Sequence, residues 1–122
     1  MFVKKLIKDD GQADLIVTDG QYDIMCCCWE YNPLQKDNQQ VKEISSLFTT
    51  DIMRVDDHDY LVQKIHGKGE HYSYHLQGRV IDKSKPLISI GELKIELDRP
   101  LPKDINVGEF VEFKVGRLDC FV

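Results

Sequence analysis

Residues 87–98 read LISIGELKIELD, a stretch that alternates apolar and polar side chains and changes phase at its glycine. Ile88 and Ile90 lie at even positions, whereas Leu93 and the apolar residues after it lie at odd positions. A period of two indicates a half-buried β-strand, and a one-residue slip at a glycine is typical of a β-bulge. The stretch therefore predicts one strand that bends sharply at Gly91.

A second phase slip follows later in the chain. Val111 and Phe113 alternate with polar residues up to Gly116, after which Leu118 and Cys120 have the opposite parity. Two bulged strands in succession bend a sheet strongly, as a small closed barrel requires. We therefore predict an all-β fold: a small, strongly bent antiparallel barrel, OB-like or a related Greek-key barrel, with at most one short helix.

Two hairpins are predicted from the same alternation. Residues 13–18 and 22–28 alternate on either side of Asp19-Gly20, a pair that favours a type I′ turn. Residues 60–66 and 71–82 form a second alternating pair around a glycine-rich turn.

One stretch fits two structures. The apolar residues of 41–48 have helical spacing, whereas 44–55 is rich in residues that favour strands. We prefer a strand at 44–55, and the sequence leaves 41–48 open between helix and strand.

The composition indicates a single packed domain over residues 1–122, with 42% hydrophobic and 30% charged residues. No apolar run approaches the roughly 20 residues that span a bilayer, and residues 1–8 lack the apolar region of a secretory signal. Cys26, Cys27, Cys28 and Cys120 are not spaced as a disulfide framework, and buried, reduced thiols are expected. These features predict a cytoplasmic protein that does not associate with a membrane.

Catalytic and metal-binding patterns are not recognisable in this sequence. His66 and His71 flank a predicted turn, but zinc needs about four ligands and no second half-site has the required spacing. The three consecutive cysteines lie within a predicted strand, where packing is their usual role. We therefore expect no cofactor, no bound metal and no enzymatic activity, and a metal-dependent enzyme is the least favoured of three functional hypotheses.

The leading hypothesis is a non-enzymatic binding module for another protein. Residues 1–61 contain 6 Lys and Arg and 12 Asp and Glu, against 10 and 9 in residues 62–122. An acidic first half suits a basic partner, as for an inhibitor or immunity protein. Trp29 and Tyr31 are the candidate anchors, because aromatic residues dominate interface hot spots.

The alternative hypothesis is an OB-like module that binds single-stranded nucleic acid. Such modules combine a cationic groove with aromatic stacking platforms. The candidate cations are Arg79, Lys83, Lys85 and Arg117. Acidic residues are interleaved with them, which favours a mixed surface and ranks this hypothesis second. The sequence does not determine the oligomeric state or identify a partner.

Overall fold

The computed structural model describes residues 1–9, 12–28 and 39–121. These residues form eleven β-strands and no helix, which confirms the all-β prediction. None of the described segments is therefore a helix long and apolar enough to cross a membrane. In chain order the strands are β1 (Phe2–Asp9), β2 (Ala13–Thr18), β3 (Asp23–Cys28), β4 (Glu43–Leu47), β5 (Thr50–Val55), β6 (Leu61–Lys64), β7 (Tyr74–Asp82), β8 (Leu87–Ile90), β9 (Leu93–Glu96), β10 (Phe110–Val115) and β11 (Arg117–Phe121).

The strands form one mixed sheet in the order β1-β2-β3-β11-β4-β9-β8-β7-β10-β5, with β6 attached to β7. Most neighbours are antiparallel, but β3 is parallel to β11 and β4 is parallel to β9. The prediction of an antiparallel arrangement is wrong at these two places. Each pair joins strands that are far apart in sequence, and because no hairpin turn connects them, their relative direction cannot be inferred from the local sequence. The hydrogen-bonded path does not return from β5 to β1, so a closed barrel is not confirmed.

Gly91 is a turn residue, and the prediction of a single bent strand over 87–98 is wrong. β8 and β9 are separate antiparallel strands with Ile90 opposite Leu93. Gly91 and Glu92 form the two-residue turn between them, and the φ of Gly91 is 58°, in the left-handed region that glycine enters without strain. Residues that face each other across such a turn lie an odd number of positions apart, so a turn changes the apolar parity just as a bulge does.

Gly116, the second predicted bend, lies where the chain changes partners. β10 pairs with β5 and β7, whereas β11, which begins directly after Gly116, pairs with β3 and β4. Hydrogen bonds therefore join residues 43–55 to residues 110–121 in one long ladder. Within this ladder the Gly116 N–H donates to the Leu47 carbonyl at 2.9 Å.

A bulge does occur in the long ladder, but on β5. Glu112 lies opposite Met53 and Lys114 lies opposite Thr50, so two residues of β5 face the single residue between Glu112 and Lys114. Asp51, inside the bulge, has a φ of 57°. The bend that the sequence predicted at Gly116 therefore has two parts. One is the bulge on β5, and the other is the change of strand partners at Gly116.

β7 is the branching strand of the sheet. One edge of β7 pairs with β10, while on its other edge residues 74–77 pair with β6 and residues 79–82 pair with β8. Gly78 lies at the point where β8 replaces β6. A Cβ atom at Gly78 would lie 2.4 Å from the carbonyl oxygen of Ser89 and 2.8 Å from Cγ2 of Ile88, so only glycine permits this approach of β8.

One apolar core holds the strands together. The alternation correctly places Tyr74 and Leu76 in this core, and the Tyr74 hydroxyl accepts a hydrogen bond from the Met25 N–H at 2.9 Å. Cys26 and Cys28 also belong to the core. The largest fully buried side chains are those of Phe113, Leu15, Ile24, Ile44, Leu76, Ile88, Ile90, Leu93, Ile95, Ile105, Leu118 and Val17.

The predicted hairpin of β2 and β3 is confirmed, but its loop contains four residues, 19–22, instead of a two-residue type I′ turn. In this loop only Gly20 has a positive φ, of 103°. The Asp19 carboxylate organises the loop, because its Oδ1 atom accepts the N–H groups of Gln21 and Tyr22, both at 2.8 Å.

Asp19 also connects this hairpin to the hairpin of β8 and β9. Its Oδ2 atom accepts the Glu92 N–H at 2.8 Å, and a Cβ atom at Gly91 would lie 2.6 Å from the same oxygen. Burial raises the pKa of Asp19, but the backbone N–H donors of Tyr22, Glu92 and Gln21 outweigh burial and hold the pKa below its ordinary value.

We expect Asp19→Asn to lower the free energy of unfolding by about 1–2 kcal/mol near neutral pH, since an amide offers one acceptor oxygen to three donors. The pKa of Asp19 is lower in the folded state, so its contribution is fully present above the ordinary carboxyl pKa of about 4 and is lost as the pH falls through the folded-state value. Urea unfolding of both proteins at about pH 7 and about pH 2.5 measures this. A difference that persists undiminished in acid would contradict the assignment.

We expect Gly78→Ala to destabilise the protein by about 2–4 kcal/mol, because the new methyl group collides with the backbone of β8. Gly67→Ala is the matched control. Its added Cβ atom would make only an ordinary contact, 3.4 Å from Cγ of Glu70, and should change stability by less than about 1 kcal/mol. Urea unfolding compares the two variants, and equal midpoints would refute the close approach.

Candidate functional site

The two predicted aromatic anchors, Trp29 and Tyr31, lie outside the described residues. Their role in binding a partner therefore stays a prediction. The structure does describe the four candidate cations of the nucleic-acid hypothesis.

Three of those four cations are engaged within the chain. The Arg117 guanidinium binds both carboxylate oxygens of Asp119, with Nε–Oδ1 at 2.9 Å and Nη2–Oδ2 at 3.2 Å. Lys85 Nζ lies 3.9 Å from a carboxylate oxygen of Glu43. Lys83 Nζ donates to the backbone carbonyl of residue 103 at 2.7 Å.

The fourth cation, Arg79, does not converge with Arg117. Arg79 lies opposite Phe110, at the start of β10, whereas Arg117 follows Val115 at the end of β10. At ~3.3 Å per residue, the strand from Phe110 to Val115 is about 17 Å long. Arg79 and Arg117 therefore lie at opposite ends of β10.

The cysteines are buried as expected, and the environments of Cys26 and Cys27 favour the protonated thiol. Burial raises the pKa of Cys27 to about 11, and the carboxylates of Asp14 and Asp119 act in the same direction. Burial also raises the pKa of Cys26. Protonated thiols are poor nucleophiles and poor metal ligands at neutral pH.

A polar row crosses the outer side of β2, β3 and β11. Asp14 lies opposite Cys27, and Cys27 lies opposite Asp119. The Tyr72 hydroxyl donates to Asp14 Oδ2 at 3.1 Å, while Arg117 binds Asp119, so both carboxylates have partners within the chain. Burial, followed by the Asp14 carboxylate, raises the pKa of Tyr72, which keeps the hydroxyl neutral. Over the described part of the chain, no three His, Cys, Asp or Glu side chains are placed to hold a metal ion.

The two ends of the hydrogen-bonded path, β1 and β5, differ in their protection. The start of β1 is covered by residues 39–41, whose backbone bonds to Met1 and Val3. Further along, the apolar side chains of Leu6 and Ile7 are 39% and 49% exposed, but Lys4 and Lys5 beside them are exposed too. Lysines on an edge strand discourage pairing with another chain.

β5 is an open edge. Among the described strands it pairs with β10 alone, and none of its residues is buried. Ile52 and Val55 are half-buried, while the Met53 side chain is 54% exposed. An edge strand directs half of its backbone N–H and C=O groups away from its sheet, where they can pair with a further strand.

Phe48 is the most conspicuous residue beside this edge. It lies two positions before β5 and is 72% exposed, more than any other large apolar side chain that the structure describes. Its φ is 57°, a left-handed conformation that costs a residue with a Cβ atom about 1–2 kcal/mol. Strain of this kind persists only where the surrounding structure holds the residue in place.

The surrounding structure does hold Phe48 in several ways. The Phe48 N–H donates to Asp98 Oδ2 at 2.9 Å, and the Asp98 N–H donates to Ser46 Oγ at 3.1 Å. Gly116 lies beneath the ring, since a Cβ atom there would lie only 2.9 Å from Cβ of Phe48. Arg99 Nη1 donates to the carbonyl of the next residue, Thr49, at 3.0 Å. The exposed ring is therefore displayed on a fixed backbone.

Phe48 also borders an open groove of about 300 Å³. Ile65, Val115 and Gly116 contribute to the lining of this groove, and Lys114 and Glu70 contribute charges of opposite sign. The combination of an exposed aromatic ring, an adjoining groove and an open strand edge provides what a protein interface needs: an anchor and main-chain hydrogen-bonding groups.

Sequence reasoning did not single out Phe48. It appears there only among the apolar residues of 41–48, and it has the same parity as the buried residues Ile44 and Ser46. Left-handed residues are usually glycine, asparagine or aspartate, so a phenylalanine carries no signal for this conformation.

Comparison with known proteins adds no functional information. No protein-family model, no curated protein and no solved structure matches this chain.

We expect Phe48→Asn and Phe48→Val to have opposite effects on stability, although both remove the exposed ring. Asparagine tolerates a left-handed φ, whereas a β-branched residue does not, so the asparagine variant should be more stable by about 1–2 kcal/mol. Urea unfolding of both variants beside the wild type measures this difference. A valine variant at least as stable as the asparagine variant would show that residue 48 is not held at positive φ.

Proposed function

We propose that this protein is a non-enzymatic module that binds another protein at the β5 edge, with Phe48 as the anchor. The observation that carries the proposal is the exposure of Phe48 on a strained backbone that Asp98 and Gly116 hold in place. An exposed aromatic side chain whose backbone is already ordered loses little conformational freedom on binding, which favours affinity.

We also propose that the sheet curls into an OB-like or related Greek-key barrel. β4 and β5 are nearly continuous in sequence, as are β10 and β11. β9 pairs with β4, while β5 pairs with β10, which leads through β7 and β8 back to β9. This circuit through two long segments supports a barrel-like arrangement, with β1, β2 and β3 added at one side.

A cytoplasmic location belongs to the same proposal. The thiols of Cys26, Cys27 and Cys120 are free, and free thiols persist in reducing compartments.

The inhibitor or immunity form of the proposal rests on the acidic first half of the chain. Part of that acidity is neutralised by lysines. Three of its carboxylates form ion pairs: Asp23 with Lys4, Glu43 with Lys85 and Asp51 with Lys114. Asp14 is buried, and Asp19 accepts backbone hydrogen bonds. The β5 edge therefore supports protein binding more directly than the charge sum does.

Affinity capture from a lysate of the source cells tests the proposal, with immobilised wild-type protein, Phe48→Asn and Val107→Asn. Val107 is 59% exposed, so its variant controls for the loss of an exposed apolar side chain. We expect the wild type and the Val107 variant to retain the same proteins, and the Phe48 variant to retain at least about tenfold less. Equal capture by all three proteins, each shown to be folded under the capture conditions, would reject Phe48 as the anchor.

A further inference from the structure

Beside β5 lies a second groove, and its chemistry indicates the kind of segment that would bind there. Ile52, on β5, and residues 99–103 enclose about 480 Å³ of open space. Leu101 and two prolines provide the apolar part of its lining, together with Ile52. This argument rests on the proposed function and specifies the partner.

The charged groups of this groove are both cationic. Arg99 and Lys103 line it, and no carboxylate does. Among the described residues, neither cation forms an ion pair, and Arg99 is positioned by its bond to the Thr49 carbonyl. Arg54 on β5 differs, since its Nη1 atom is 3.4 Å from a carboxylate oxygen of Glu109. A local excess of positive charge in a chain of net charge −5 favours an anionic partner here.

Residues 99–103 leave the backbone of β5 available to another strand. Pro100 and Pro102 have no N–H group, and no backbone hydrogen bond joins 99–103 to β5 in the described structure. The segment therefore forms one wall of the groove and does not occupy the strand edge.

We propose that the β5 edge binds an extended acidic segment of the partner protein. The main chain of that segment pairs with β5, an apolar side chain packs on Ile52 and Leu101, and carboxylates on the same face reach Arg99 and Lys103. Side chains two positions apart share a face of an extended strand, so the motif is an apolar residue followed at every second position by an acidic one.

The test uses a fluorescent peptide with an alternating sequence. Valine and then two glutamates lie on one face of the extended peptide, and threonines occupy the positions between them. A peptide with lysines in place of the glutamates is the charge control, and an N-methylated glutamate peptide cannot pair its main chain. We expect the unmodified glutamate peptide alone to bind measurably by fluorescence anisotropy, with affinity that falls as salt is added.

The double variant Arg99→Gln/Lys103→Gln should bind the glutamate peptide at least about tenfold more weakly. Lys42→Gln/Lys68→Gln removes the same charge at exposed positions outside the groove and should bind as the wild type does. If both double variants bind the glutamate peptide equally weakly, net charge alone explains the loss of affinity, and the assignment of this groove is overturned.

Two further outcomes separate this inference from the proposed function. The acidic segment is rejected if the glutamate and lysine peptides bind equally, or if a single-stranded oligonucleotide binds and neither peptide does. In either case, capture from the lysate that depends on Phe48 would still support a protein-binding module. If neither peptide binds and capture does not depend on Phe48, the inference and the proposed function are both rejected.

Discussion

The long ladder between residues 43–55 and 110–121 is the constraint on which the rest of the molecule depends. One half of it, through β4 and β11, connects the first hairpin to β9, and the other half, through β5 and β10, connects to β7. The two segments bend at the same place, where Phe48 lies against Gly116. The bend turns apolar residues on both sides of Gly116, Val115 and Leu118, into the core. The same bend leaves the Phe48 ring in solvent.

The sequence predicted the positions of those strands that have one buried face and one solvent-exposed face. The strands around Leu76 and Phe113 have this character, and alternation alone located them. The sequence did not predict that the chain makes a turn at Gly91, because a two-residue turn and a bulge change the parity of the apolar positions in the same way. The parallel pairs did not follow either, because a local pattern contains no information on which distant strand lies alongside.

The candidate site was harder to predict than the fold for a physical reason. Phe48 is exposed because its backbone is left-handed, and that conformation depends on Asp98 and Gly116, which are remote in sequence. Charge counts were similarly incomplete. They do not show that Asp119 binds the Arg117 guanidinium, or that Arg99 forms no ion pair with any other described residue.

The remote partners of Phe48 have a consequence for synthesis of the chain. A ribosome adds residues from the N-terminus at roughly 5–20 per second, so Phe48 leaves it several seconds before Gly116 does. Until Asp98 and residues 110–121 have been made, the nascent chain contains neither the carboxylate that binds the Phe48 amide nor the strands that pair with β4 and β5. The ladder that holds Phe48 and β5 in place can therefore form only after these later residues have been synthesised.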